Sequence, residues 1–215
     1  MSENIVKHAI KTAWVMIAFT VIGTVTLAFV HHTTKAPIAK AEAAVRMSLF
    51  AQILPADLHD NALLQDAIKQ PAGGDLGNRN ETLIYRARLA NTPSGVILEA
   101  TAPDGYSGDI KLLVAIKASG EVLGVRVLDH RETPGLGDYI DIAHSQWIKQ
   151  FNAQSLAKRP DEEWFVKKDG GQFDFTTGAT ITPRAVIKAV HKVLKFYAAH
   201  QQAIFETSSG QALAQ

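Results

Sequence analysis

Cysteine is absent from this chain. Its absence removes thiolate zinc sites, disulfides and cysteine-ligated iron–sulfur clusters. It permits an oxidising compartment without requiring one. Net charge is almost absent as well, with 22 Lys and Arg against 21 Asp and Glu. A nucleic-acid partner is therefore not expected, because binding a polyanion draws on an excess of cations. The histidines are scattered, and no metal site is expected. The adjacent His31 and His32 follow an apolar run, where contact with lipid headgroups is the commoner role. No serine lies in a nucleophile elbow and no Ser–His–Asp pattern stands out, so no catalytic residue is assigned. Asp104 and Asp109 flank Gly-Tyr-Ser-Gly and read as turn residues.

Charge is missing above all from Ala13–Val30, "AWVMIAFTVIGTVTLAFV". As a helix this stretch rises about 27 Å, close to the hydrocarbon thickness of a bilayer. Trp14 stands at one end, at headgroup level. A cleaved signal peptide would end in a small-x-small site, which "AFVHHTT" does not supply. A helix apolar on every face is rarely a core element of a modest domain. Residues 1–31 are thus expected to be an uncleaved single anchor in a lipid bilayer. Lys7 and Lys11 precede it and Lys35, Lys40 and Arg46 follow, so the flanking charges choose no orientation.

Ile38, Val45, Leu49 and Ile53 fall at helical spacing before Pro55, which predicts a connecting helix within residues 32–58. Gln70–Asn80 is a loop by composition. Strand patterns follow over Thr82–Leu89, Gly95–Ala102, Ile110–Ala118 and Glu121–Asp129, the last two joined by a hairpin at Lys117–Gly120. Asp138–Phe151 returns to helical spacing through Ile140, Ala143, Trp147 and Phe151. "EEWFVKK" followed by "DGG" reads as a strand and a turn. A final helix is predicted from Pro183 to about Phe205, with Val186, Val190, Val193 and Tyr197 on one side. Residues 59–205 are expected to form one domain and 206–215 a flexible tail. The fold class is α+β: a single transmembrane helix, then a largely antiparallel sheet with flanking helices.

Two loops attract notice. In "DFTTGATITPRAV", Asp174–Val186, Thr182 and Pro183 form a good helix start, a hydroxyl at the cap and proline at the first helical position. Thr176, Thr177 and Thr180 remain unexplained around Gly178, whose freedom allows a tight turn. A helix start fed by such a turn also suits an anion. The second loop is "ETPGLG", Glu132–Gly137, a rigid turn with exposed amides and one apolar side chain, Leu136. Taken alone, each is a plain connector.

Together with "ATAPDGYSGDIKLLV", "HRETPGLGD" and "VKKDGGQFD", these stretches resemble the FMN-binding G subunit of the Rnf (Rsx) electron transport complex. "DFTTGAT" matches the flavinylation signature Asp-x-x-(Ser/Thr)-Gly-Ala-Thr. The related C subunit of the sodium-translocating NADH:quinone reductase is similar in plan, and a membrane-anchored flavin sensory or adaptor module is a further alternative. The resemblance implies that Thr180 carries FMN through a phosphoester. Its phosphate would be seated by Thr177, Gly178, Ala179 and Thr182 at the helix start, with Arg184 or Lys188 adding charge. Leu136 would pack on the isoalloxazine, and Glu132, Thr133 and the amides of Gly135 and Gly137 would reach its polar edge. It also implies other membrane and peripheral subunits as partners and a flavin transferase for maturation. The expected location is the bacterial inner membrane, with the flavin domain in the periplasm.

Overall fold

The computed structural model describes residues 2–213, leaving aside the side chains of 2–6 and Ala9. Met1 of the expected anchor, and Ala214 and Gln215 of the expected tail, lie outside the described residues. The chain falls into two compact units, Met1–Met47 and Ser48–Gln215.

The first unit is helix. α1 runs Ser2–Ile53, and its last turns belong to the second unit. The hydroxyls of Thr12, Thr20 and Thr26 donate to the carbonyls of His8, Met16 and Ile22 at 3.0, 2.9 and 2.8 Å. These polar groups are thus satisfied inside the helix, as an apolar surrounding demands. Trp14, Phe19, Leu27 and Phe29 are each at least 67% exposed. Within Ile10–Ile53 the helix is long and apolar enough to cross a membrane. Helical structure continues through residues 31 and 32, where the anchor and a separate connecting helix were expected to meet. Pro37 lies inside α1, and Pro55 follows its end.

The second unit is built on a five-stranded antiparallel sheet in sequence order: β1 (Ala67–Gln70), β2 (Thr82–Leu89), β3 (Thr92–Ala102), β4 (Ile110–Lys117) and β5 (Val122–Asp129). β1 carries no pattern that sequence reading found; it is four residues long. Alternation along the strands divides the core in two. Leu112, Val114 and Ile116 point to the face covered by α2 (Ile181–Glu206), packing with Val186, Val190 and Val193. Leu113 and Ala115 point to the other face, against Phe50, Ile53 and Leu54. There a Cβ on Gly124 would come within 3.0 Å of Ile53, so glycine lets the end of α1 lie close on β5. Arg126 fixes that end, its Nε donating to Gln52 Oε1 and its guanidinium to the Gln52 carbonyl, both at 3.0 Å.

Three predicted segments differ. Asp138–Phe151 is not one α-helix but two short 3-10 turns, Asp138–Ile140 and Trp147–Phe151, and Ala143 is exposed. Side chains capture the backbone between them: Asp141 Oδ1 takes the Ala143 N–H and Ser145 Oγ the Trp147 N–H, which competes with helical bonding. "EEWFVKK" forms turns rather than a strand, with one bridge from Val166 to Phe173. The chain folds back so tightly there that a Cβ on Gly171 would sit 2.1 Å from the Phe165 carbonyl oxygen.

The expected tail is held over residues 207–213. Leu213 is buried and donates its N–H to Lys69, while Gly210 donates to Ala67, so the segment extends the sheet beyond β1. Arg86 adds a clasp from β2, bonding the Ile204 and Thr207 carbonyls, Ser209 and Asp66. Hydrogen bonds between distant residues make this order, which composition does not reveal.

Candidate functional site

The threonine-rich stretch is a closed β-turn. Ala179 donates its N–H to the Thr176 carbonyl at 3.1 Å, and Gly178 at the third position has φ +91°. That φ suits glycine at the third position of a type II turn. The turn is held from behind by residues that precede it by some 25 to 40 positions. Trp147 Nε1 donates to the Asp174 carbonyl at 2.6 Å, and Asp174 N–H donates to Gln150 Oε1 at 2.7 Å. The Tyr139 hydroxyl donates to the Ala179 carbonyl at 3.1 Å and accepts from Thr176 N–H at 3.3 Å. Burial holds the Tyr139 phenol above its ordinary pKa, against the lowering effect of its bond from Thr176.

α2 begins earlier than the Thr182-Pro183 pair suggests. Its N-cap is Thr180, whose side chain makes no capping hydrogen bond. Thr182 lies inside the first turn, only 1% exposed, and its hydroxyl donates to Glu132 Oε2. The Thr182 side chain is therefore a buried tie and not a cap. Helix geometry leaves the amides at this end without intrahelical partners; the first backbone bond is from Arg184 N–H to the Thr180 carbonyl, at 3.4 Å.

Glu132 joins three parts of the chain. It is 3% exposed; Oε2 accepts from Thr182, and Oε1 accepts the Ser107 N–H at 3.0 Å. Glycines make room for it: a Cβ on Gly105 would lie 3.0 Å from Oε1, and one on Gly137 would lie 3.1 Å from Oε2. Both carboxylate oxygens thus already have protein partners. After Glu132 the loop turns on bonds from Leu136 and Gly137 N–H to the Thr133 carbonyl, at 3.1 and 3.0 Å. Gly135 has φ +72°. A hydrogen bond from the Gly135 backbone holds the Asp138 carboxyl below the usual carboxylate range, with burial opposing and His144 assisting at 2.9 Å.

Between the two loops lies a cleft of about 120 Å³. Glu132, Thr133, Leu136 and Gly137 line one side, and Gly178, Ala179, Thr180 and Thr182 the other. Thr177 and Gly135 belong to the same loops but are not among its lining residues. Arg184 and Lys188 stand away from it, each with a carboxylate: Arg184 binds Asp169 at 2.6 and 2.7 Å, and Lys188 binds Asp104 at 2.5 Å. Sequence reading missed Tyr106 and Ile181, which line the cleft while 66% and 46% exposed. Tyr106, an aromatic in a glycine-flanked loop, was a signal available in the sequence.

A wider groove of about 620 Å³ crosses the polar end of the sheet. Arg79 and Lys111 within it face Asp109 and Asp129 at 2.7 and 3.4 Å. Charges of both signs line that groove, carboxylates included, which gives it little net pull on an anion, whereas the small cleft has a helix start in its wall.

The class of the domain is given by a family model described as the FMN-binding domain, which matches residues 105–195 and so every residue that lines the cleft. A second model, the RnfG N-terminal region, matches residues 1–53. The G subunit of the ion-translocating oxidoreductase complex of Shewanella loihica is 44% identical over 198 residues, covering 92% of this chain and 93% of that protein. Its counterpart from Pseudomonas aeruginosa is 44% identical over 196 residues (91% and 92%), and that from Aliivibrio fischeri 43% over 192 (89% and 91%). The chain belongs to the RnfG family, the G subunits of ion-translocating oxidoreductase complexes. Membership implies other subunits around it.

The site fits FMN in a particular way. A cleft of about 120 Å³ has room for a small anionic group such as a phosphate. Thr180, at the N-cap of α2, and the start of that helix lie in its wall. Exposed Tyr106, Leu136 and Ile181 offer apolar surface beside it.

Proposed function

We propose that this chain is a single-pass membrane flavoprotein that holds FMN covalently through Thr180. In this reading it carries electrons within an Rnf (Rsx) complex that couples transfer between ferredoxin and NAD to ion movement. The observation that carries the reading is the place of Thr180. Its side chain is half-buried in the cleft wall at the N-cap of a 26-residue helix, and it makes no cap bond.

The residues divide the task. Thr180 Oγ1 is the attachment point, and the amides opening α2, at the positive end of its dipole, face the phosphate. Gly178 presents no side chain there; a Cβ would find only Leu136 Cδ1, at 3.8 Å. Leu136, Tyr106 and Ile181 supply apolar contact for the ring. Glu132 supports the cleft by joining Thr182 and Ser107, rather than offering a free oxygen to the flavin edge. Arg184 and Lys188 contribute long-range charge only, being paired. Bound FMN supplies the redox chemistry, and the protein places and tunes it. Attachment calls for a flavin transferase, since no side chain in the cleft is placed to activate the Thr180 hydroxyl.

α1 is the anchor, with the N-terminus in the cytoplasm and the flavin domain in the periplasm of a bacterial inner membrane. A covalent link keeps FMN where free flavin is scarce. The test is Thr180→Val in the full chain, co-produced with a flavin transferase. Flavin fluorescence should vanish from the denatured band, while Thr177→Val keeps it. A fluorescent Thr180→Val band would refute the assignment.

A further inference from the structure

We propose that Tyr139 is a positioning residue for flavin attachment, locking the turn that presents Thr180 by bridging Thr176 and Ala179 with one hydroxyl. The inference rests on reading Thr180 as the acceptor.

Thr176 and Ala179 form an isolated antiparallel bridge, whose best-formed bond runs from Ala179 N–H to the Thr176 carbonyl at 3.1 Å. The other pair of that bridge, the Thr176 N–H and the Ala179 carbonyl, is the pair the phenol reaches. Tyr139 takes both, at 3.3 and 3.1 Å. Ala179 is buried, so its carbonyl has little recourse to water if the phenol is lost. The ring itself is fixed edge-on against Trp147, with centroids 5.6 Å apart. Trp147 in turn holds the Asp174 carbonyl at the far end of the segment. Tyr139 also lies two residues after the Glu132–Gly137 loop, in the middle of the 3-10 turn Asp138–Ile140. One side chain therefore ties the acceptor turn to the segment that follows the Glu132–Gly137 loop.

This matters for the covalent step. Joining a hydroxyl to a phosphate by loss of water is uphill in water, so the donor must be a phosphoanhydride, here the flavin dinucleotide FAD. Thr180 Oγ1 forms a bond to the flavin-side phosphorus, and the anhydride P–O bond breaks. AMP leaves, and the hydroxyl proton passes to a base on the transferase. In-line attack needs the acceptor oxygen in a defined place. Leaving the turn unlocked transfers the cost of ordering it to the encounter with the transferase.

The full chain in detergent is incubated with purified transferase and FAD, and flavinylation is followed by intact mass at several acceptor concentrations. Tyr139→Phe keeps the ring and removes the hydroxyl. Its kcat/KM as acceptor should fall about tenfold, the consequence of removing one hydrogen bond from a buried carbonyl and loosening the turn. The loss should appear in KM, with kcat nearly kept. Tyr197→Phe is the control, because it removes a hydroxyl bonded to the Ala118 carbonyl, outside the cleft. It should match the wild type. Amide exchange supplies a second measure: Thr176 N–H should lose protection in Tyr139→Phe while the β3 and β4 amides keep theirs. Wild-type kcat/KM in Tyr139→Phe, or an unchanged Thr176 amide, overturns the role of Tyr139 and leaves Thr180 standing. A wild-type chain that gains no FMN mass overturns both.

Discussion

Thr182→Val separates two accounts of the same residue. As a helix cap, the hydroxyl would be worth about 1 kcal/mol and would act alone. The structure instead places it 1% exposed against Glu132, itself 3% exposed. Valine keeps the shape and strands Glu132 Oε2 with no donor. A hydrogen bond to a charged group, lost with its partner still buried, costs about 2 kcal/mol. For a domain of this size that lowers Tm by about 4–8 °C. Glu132→Gln should also destabilise, and the double variant should fall short of the sum by about 1 kcal/mol, since the two side chains share one interaction. Urea melts of the full chain in detergent, followed by the fluorescence of buried Trp147 and Trp164, measure all three. A Thr182→Val protein as stable as Thr177→Val, or purely additive with Glu132→Gln, would refute the tie. The expected loss at Thr177 is near zero because its side chain is exposed.

Asp66 should show a pH signature. Burial raises its pKa, but hydrogen bonds from Arg88, Ser209 and Arg86 outweigh this and leave it lowered. A lowered folded pKa adds stability above the unfolded value, about 3.9. The advantage of wild type over Asp66→Asn should therefore be complete near neutrality and fade as pH falls through the folded pKa, read from urea midpoints. Deleting residues 208–215 removes buried Leu213 and its bonds to β1 and should cost about 3 kcal/mol; an unchanged midpoint would show that the segment contributes nothing. Single cysteines at Ser2 and at exposed Ser208 test topology against a thiol-free background. An impermeant thiol reagent on intact cells should label position 208 and not position 2, and the reverse pattern removes the periplasmic placement.

Local pattern was enough where burial follows a simple period. Four strands were legible because apolar, β-branched runs lie between turn residues, and β2, the one that alternates, was placed at its observed bounds, Thr82–Leu89. α2 was legible because Val186, Val190, Val193 and Tyr197 form a stripe that a sheet can cover. The apolar run of α1 announced itself by the absence of charge. The two loops that meet at the cleft were singled out by their glycines and threonines, and the family resemblance joined them.

What the sequence could not carry is held by partners distant along the chain. Asp138–Phe151 has helical spacing, yet Asp141 and Ser145 bind the backbone and Trp147 reaches Asp174, so the helix breaks. β1 is too short to show a period, and the 207–213 segment is ordered only because Arg86 and the β1 edge receive it. In the cleft, composition placed Thr182 as the cap, but a buried carboxylate fifty residues earlier claims its hydroxyl and Thr180 takes the cap position. Arg184 and Lys188 were candidates by nearness in sequence, and Asp169 and Asp104 hold them elsewhere. Periodicity records which face of an element is buried; which hydroxyl, carboxylate or phenol meets it there is decided only when the chain closes on itself.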